Sequence, residues 1–264
     1  MKINLKNNIL IFSLGINSYG GKNILKFVLE KYKENNLFLI SDTRLNLKTN
    51  NVKKMYLDNN FFSYFYFYFF YNKKKYDHIF FVNGLPPLFK LNTNHFVFFQ
   101  NANILNFNNN LKWIFSKNLI RYIYFNTFKA NTSNWVVFNN FTKKILSKRI
   151  NQTDKINVIN YFFHSSIDQK KKTTKTYDLF YPASGDPHKN HTILFKSLIL
   201  LAKKNIYPKL LITLNDNHYK KLDVLSLIKK YNLKITNHYF DNEIDIYNAY
   251  LKSKALIFPS LNET

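Results

Sequence analysis

The feature that most constrains this chain is a recurring alternation between short, almost continuous apolar runs and longer amphipathic stretches. The run "ILIFSL", Ile9 to Leu14, ends at Gly15 and suits a strand buried on both faces, the kind found in parallel sheets. Similar runs recur at Leu37 to Ile40, His78 to Val82, Phe96 to Phe99, Trp135 to Phe138 and Ile156 to Ile159. Helical spacing appears between them, in Asn23 to Tyr32, Leu111 to Phe125 and Thr142 to Ser147, with Gly20 and Gly21 expected in a turn that opens the first helix. Parallel neighbours need a crossover rather than a hairpin, so the alternation predicts an α/β fold.

The pattern then stops and starts again. "QKKKTTKT", Gln169 to Thr176, has no apolar residue and reads as a linker. Beyond it, strands are expected at Asp178 to Tyr181, Pro208 to Leu214, Leu233 to Ile235 and Ala255 to Phe258. Helices are expected at Thr192 to Lys203, Tyr219 to Lys230 and Asp245 to Leu251. The expectation is therefore two Rossmann-like domains, residues 1–168 and 177–264, joined by a linker at 169–176 and facing a cleft. Ligands of open parallel sheets sit at the carboxyl ends of the strands, which would make that cleft the site.

Composition narrows the function classes. The chain has no cysteine, which removes disulfides and thiolate metal sites. The close histidine pair, His188 and His191, has no third ligand at metal-binding spacing, so no metal centre is expected. The net charge of +24 points to an anionic partner or surface, and 27 of the 39 basic residues but 7 of the 15 acidic ones lie in residues 1–176. An AT-rich coding sequence also favours Lys, Asn, Ile, Phe and Tyr, which accounts for part of that charge. No nucleic-acid reader motif accompanies it, so no nucleic-acid partner is expected. Met1 to Asn8 is polar and the following apolar run is too short for a secretory signal. "FFSYFYFYFFY", Phe61 to Tyr71, is too short to span a bilayer. Two readings of it remain: a buried helix or strand before a solvated turn, or, with Lys73, Lys74 and Lys75, a segment seated in anionic headgroups.

The densest chemistry lies in "YPASGDPHKNH", Tyr181 to His191, between a strand and a helix. A helix start offers free N–H groups and partial positive charge, and a lysine beside it, Lys189, adds a full one, which together favour a phosphate. This stretch, the later "IYNAYLKSKALIFPS" and the terminal "LNE" resemble the donor-binding half of the family-4 glycosyltransferases of the GT-B fold, particularly the bacterial surface-polysaccharide type. The first half is similar too, in Gly20 and Gly21 after the first strand and in "NGLPPLFKLNTNHFVFFQNANIL" with its Pro-Pro turn and Gln100-Asn101.

The resemblance implies a retaining, metal-independent transfer of a hexose from a GDP- or UDP-sugar to a lipid-linked or glycan acceptor, on the cytoplasmic face of the inner membrane. By the same resemblance Lys189 pairs with the diphosphate, Gly20 and Gly21 let backbone N–H groups approach it, and Glu263 accepts hydrogen bonds from donor-sugar hydroxyls. His188, Asn190 and Ser260 shape the donor site, and Asn101 faces the acceptor. The chain departs from the family in three places. An arginine expected before the lysine is Ala183, with His188 the nearby candidate to stand in for it. A glycine-rich turn is replaced by "LNDNH", Leu214 to His218. The second glutamate of the family's pair has no counterpart, so the second domain is expected to be incomplete and the chain truncated. The alternative is an inactive remnant that acts only as a binding module.

Overall fold

The computed structural model describes residues 7–16, 19–45, 52–70, 76–105, 117–159, 173–240 and 243–261. The chain divides into two compact units, Met1–Phe163 and His164–Glu263. In the first, β1 (Asn8–Ser13), β2 (Asn36–Asp42), β3 (Lys53–Leu57), β4 (His78–Phe81), β5 (Asn94–Phe98), β6 (Asn134–Val137) and β7 (Ile156–Val158) form one sheet. Its order is β3-β2-β1-β4-β5-β6-β7 and every pairing is parallel.

Strand β1 shows why the sheet is central. Ile9 and Ile11 join one apolar core, Leu10 and Phe12 the other, and all four are almost wholly buried. Helix α1 (Tyr19–Lys31) covers the first face with Ile24, Leu25, Val28 and Leu29. The second face is covered by α2 (Phe61–Phe70), α3 (Lys117–Phe128) and α4 (Asn140–Ile150) through Phe67, Phe125 and Leu146. Trp135 sits in this layer with ring centroids 5.5 Å from Phe125 and 6.0 Å from Phe99.

The aromatic run is thus a helix. Asn60 caps it, its Oδ1 accepting from the Ser63 N–H at 2.9 Å. Ser63 and Phe67, one turn apart, face inward, whereas Phe62 is 81% exposed. Lys73, Lys74 and Lys75 lie outside the described residues. Strand β3, "KKMYL", escaped the sequence reading because it is a half-exposed edge strand without an apolar run, its lysines of the sort that discourage further strand pairing.

In the second unit, β8 (Tyr177–Tyr181), β9 (Leu210–Ile212), β10 (Ile235–Asn237) and β11 (Ser253–Leu256) pair in parallel in the order β10-β9-β8-β11. Helix α5 (His191–Ala202) packs Leu194, Phe195 and Leu198 against Tyr181, Leu210 and Ile212. Phe180 and Leu211 point the other way, to Ala249 of α8 (Glu243–Leu251). The helix expected over Tyr219 to Lys230 is two, α6 (Asp216–Lys221) and α7 (Val224–Tyr231), because Asp223 turns left-handed at φ 48°. The end of the expected linker, residues 173–176, is held to this unit by the Thr173 hydroxyl donating to the Leu251 carbonyl and by the Thr176 N–H donating to Lys252.

The chain has only five glycines, and among the described residues positive φ falls at Gly15 and Gly84 but also at Asn151, Asn190, Asn205, Asn232 and Asp223. Asparagine and aspartate tolerate that conformation better than other non-glycine residues. Trp135→Ala, which leaves a cavity between Phe99 and Phe125, is expected to lower the stability of the first unit by about 3–5 kcal/mol in a urea titration.

Candidate functional site

In both sheets the chain order reverses next to the first strand, between β1 and β4 in one unit and between β8 and β11 in the other. Such reversal points open a crevice at the carboxyl ends of the strands. In the second unit that place is occupied by residues 182–190 after β8 and residues 257–261 after β11.

These two segments are bonded together. The buried Tyr181 hydroxyl donates to the Lys189 carbonyl at 2.6 Å and lies 2.9 Å from Ser260 Oγ. Asn190 Nδ2 donates to the Pro259 carbonyl at 3.2 Å, and the Leu261 N–H donates to the His188 carbonyl at 2.8 Å. The structure therefore gathers His188, Lys189, Asn190 and Ser260 in one cluster. Glu263 lies outside the described residues. Asn190 holds the αL position before α5 at φ 54°, and its amide is committed to Pro259. Helix α5 consequently begins without a side-chain cap, with Lys189 beside it, an arrangement that favours an anion.

Beneath this cluster lies a residue to which the sequence reading gave no role in the site. His191, the first residue of α5, is 2% exposed, packs 4.8 Å from the Tyr181 ring, and finds no partner for either ring nitrogen among the described residues. Burial pulls its pKa down to about 4; His218 and Lys189 push the same way and Asp186 opposes them. His218 Nδ1 also lacks a partner. Its side chain presses on Gly185, where an added Cβ would stand 2.4 Å from His218 Cβ. The "LNDNH" stretch that replaces a glycine turn forms an asparagine cap, Asn215 accepting from the His218 N–H at 2.9 Å.

The first unit has its own recess. A cavity of ≈ 320 Å³ opens at the ends of β1, β4 and β5, lined among others by Gly21, Asn59, Tyr64, Asn83, Asn101 and Arg121. Gly20 and Gly21 do not form the expected turn but belong to the first turn of α1; the chain reverses instead at Gly15, φ +84°. Gly20 is exposed, and nothing lies near its missing Cβ. Gly21 is needed for packing, since a Cβ there would approach Ile16 Cγ2 to 2.8 Å.

The stretch after β4, whose Asn83, Gly84 and Leu85 line the recess before the Pro-Pro turn, is pinned by half-buried tyrosines. Asn83 Nδ2 donates to Tyr64, and Asn83 Oδ1 accepts from the Leu85 N–H. The Leu88 N–H donates to the Tyr68 hydroxyl, and Tyr124 donates to the Pro86 carbonyl. Burial raises the pKa of Tyr64, Tyr68 and Tyr124, keeping them neutral donors and acceptors. At the end of β2, the buried Asp42 accepts from the Gly15 N–H and from three N–H groups of Arg44. Four donors fill a carboxylate, so this acid is not left over for a ribose as in dinucleotide-binding folds. The Arg44 hydrogen bonds chiefly hold its pKa below the usual carboxylate range.

Among the described residues no group of three or more His, Cys, Asp or Glu could hold a metal ion, and no helix is long and apolar enough to cross a membrane.

No protein-family model and no curated protein sequence matches the chain. Solved structures do. The Anabaena Alr3699/HepE protein in complex with UDP and glucose is similar with a TM-score of 0.61 at 10% identity, over 97% of this chain and 74% of that one. The lipopolysaccharide outer core galactosyltransferase WaaB has a TM-score of 0.60 at 11% identity, over 97% and 75%. A UDP-N-acetylglucosamine 2-epimerase from Rickettsia bellii has a TM-score of 0.57 at 10% identity, over 96% and 74%. The likeness runs through both units and gives the chain the paired parallel-sheet architecture of the GT-B fold.

Two outcomes follow from the His191 surroundings. Its folded pKa lies below the ordinary 6.5, so the unfolded chain binds the extra proton; stability is full above pH 6.5 and falls as pH drops toward 4. The loss is on the order of 3 kcal/mol by pH 4. His191→Phe, apolar and non-ionising, should show a shallower loss of thermal stability over the same range. Gly185→Ala should destabilise the second unit by about 1–3 kcal/mol, because the new Cβ would stand 2.4 Å from His218 Cβ, which no rotamer change moves, so the backbone has to shift, and a chemical denaturation curve measures it.

Proposed function

We propose that the chain is a glycosyltransferase that moves a hexose from a nucleotide-sugar to a lipid-linked or polysaccharide acceptor, in the assembly of a bacterial surface glycan such as lipopolysaccharide, O-antigen or capsule. One observation carries the reading: Lys189, His188, Asn190 and Ser260 converge at the reversal point of the second sheet, beside a helix start that has no side-chain cap. A diphosphate there would accept from those N–H groups and carry charge opposite to that of Lys189. The likeness to a protein holding UDP and to an epimerase named for a UDP-sugar favours uridine over guanosine as the base.

The chemistry asked of these residues is leaving-group stabilisation. As the bond from sugar to phosphate lengthens, negative charge gathers on the diphosphate and positive charge on the sugar ring. Lys189 and the N–H groups at the start of α5 are assigned to that developing negative charge, and positive charge fixed beside it lowers the barrier. No metal is called for in this mechanism, and the reading takes retention of configuration from the resemblance in the sequence. Glu263 is assigned to the donor-sugar hydroxyls, and Asn101, in the cavity of the first unit, to the acceptor.

The membrane part of the proposal rests on the first unit's excess of basic residues and on Phe62, Phe89, Ile120 and Ile123, all exposed. Such rings and ammonium groups suit an anionic headgroup layer, here the inner face of the cytoplasmic membrane.

The epimerase likeness makes reaction class the point to test. Incubation with labelled UDP-hexoses and a glycan extract should give labelled glycan with release of UDP; an epimerised sugar-nucleotide instead would replace this reading, and no binding of sugar-nucleotide would leave the chain a non-catalytic remnant. Lys189→Ala should lower kcat/KM by about 10²–10³-fold, the effect of deleting one preorganised stabilising group.

A further inference from the structure

We propose that His191 is a positioning residue that becomes an imidazolium when a diphosphate settles at the start of α5, so that nucleotide binding takes up a proton and tightens as pH falls. The inference rests on the donor site proposed above and deepens it.

The geometry points there before any titration is considered. His191 is a polar side chain, 98% removed from solvent, with two ring nitrogens and, among the described residues, no hydrogen-bond partner for either. Buried polar atoms without partners are rare in folded proteins and mark places where something else completes the structure. The ring packs against Tyr181, and Tyr181 is the hub that holds Lys189 and Ser260. Imidazole and anion-binding loop are therefore one layer apart.

The groups that face the ring fix its charge. From β8 comes Tyr181, from α6 His218, from the loop Asp186 and Lys189, and from its own helix the neutral Phe195. Lys189 and His218 disfavour a second positive charge, and Asp186, which accepts from the Ser184 hydroxyl at 2.6 Å, is the single acidic counterweight among them. With burial added to these repulsions, the neutral ring is favoured. A bound diphosphate changes both sides of that balance. It adds negative charge at the helix start of which His191 is the first residue, and it neutralises the Lys189 ammonium that repels the imidazolium. An opposite charge within about 4–6 Å raises a histidine's pKa by about 1–3 units. The proton comes from the buffer and leaves with the nucleotide, so no bond is made or broken.

Calorimetry of UDP and of GDP binding, in buffers of different ionisation enthalpy at pH 5.5 and pH 7.5, tests this on the full chain. The nucleotide's own phosphate contributes equally to the wild type and to His191→Asn, so the difference in proton uptake isolates the ring. Extra uptake by the wild type is expected at pH 5.5 and not at pH 7.5, with the affinity ratio of wild type to variant rising about tenfold between pH 7 and pH 5. Equal uptake by both proteins overturns the inference and leaves the donor site standing. If neither nucleotide binds the wild type at either pH, the donor reading itself falls and this inference with it. Should His191→Asn not fold, the histidine ring-proton NMR titration of the wild type decides: a midpoint rising by one unit or more on adding UDP supports the proposal, and an unmoved midpoint overturns it.

Discussion

A parallel strand buried on both faces has nowhere to present chemistry except at its ends. Strand β1 spends Ile9, Leu10, Ile11 and Phe12 entirely on two apolar layers, and β8 does the same with Phe180 and Tyr181. Because every pairing in both sheets is parallel, all strands of a sheet end on the same side, and the loops that follow them crowd together there. The clustering of the second-unit residues and the recess of the first unit are consequences of this one restriction.

The restriction also explains which parts of the molecule could be read from the residues. Strands with continuous apolar runs announce themselves, and β1, β2, β4, β5, β6 and β7 fall where "ILIFSL" and its relatives lie. Strand β3 does not, since an edge strand carrying Lys53 and Lys54 needs no apolar run. The segment from Phe61 was apolar all round, which fits helix and strand alike; the Asn60 cap was the deciding local signal. Gly20 and Gly21 looked like a turn because glycine usually serves turns, but they lie in the helix, and among the described residues of that connection the positive φ falls at Gly15.

The candidate site was half legible. Lys189 and its neighbours carry their meaning in sequence, as cation, helix start and irregular loop. His191 does not, because a histidine at the head of a helix is ordinarily solvated, and only packing against Tyr181 and Phe195 reveals that it is enclosed. The pairing of His218 with Gly185 is equally silent: residues more than thirty positions apart meet because β8 and β9 are neighbours.

The chain's reliance on asparagine has a consequence for how the molecule ages. Spontaneous loss of the side-chain amide proceeds through a cyclic imide, and a bulky following residue hinders that ring closure. Asn151, Asn190, Asn205 and Asn232 are followed by Gln, His, Ile and Leu, so the left-handed turns are durable. The unhindered Asn-Gly dipeptide is Asn83–Gly84, and there Tyr64 and the Leu85 N–H hold the amide in place. The wall of the first unit's cavity is thus guarded where an Asn-Gly pair would most readily let chemical wear put a new negative charge.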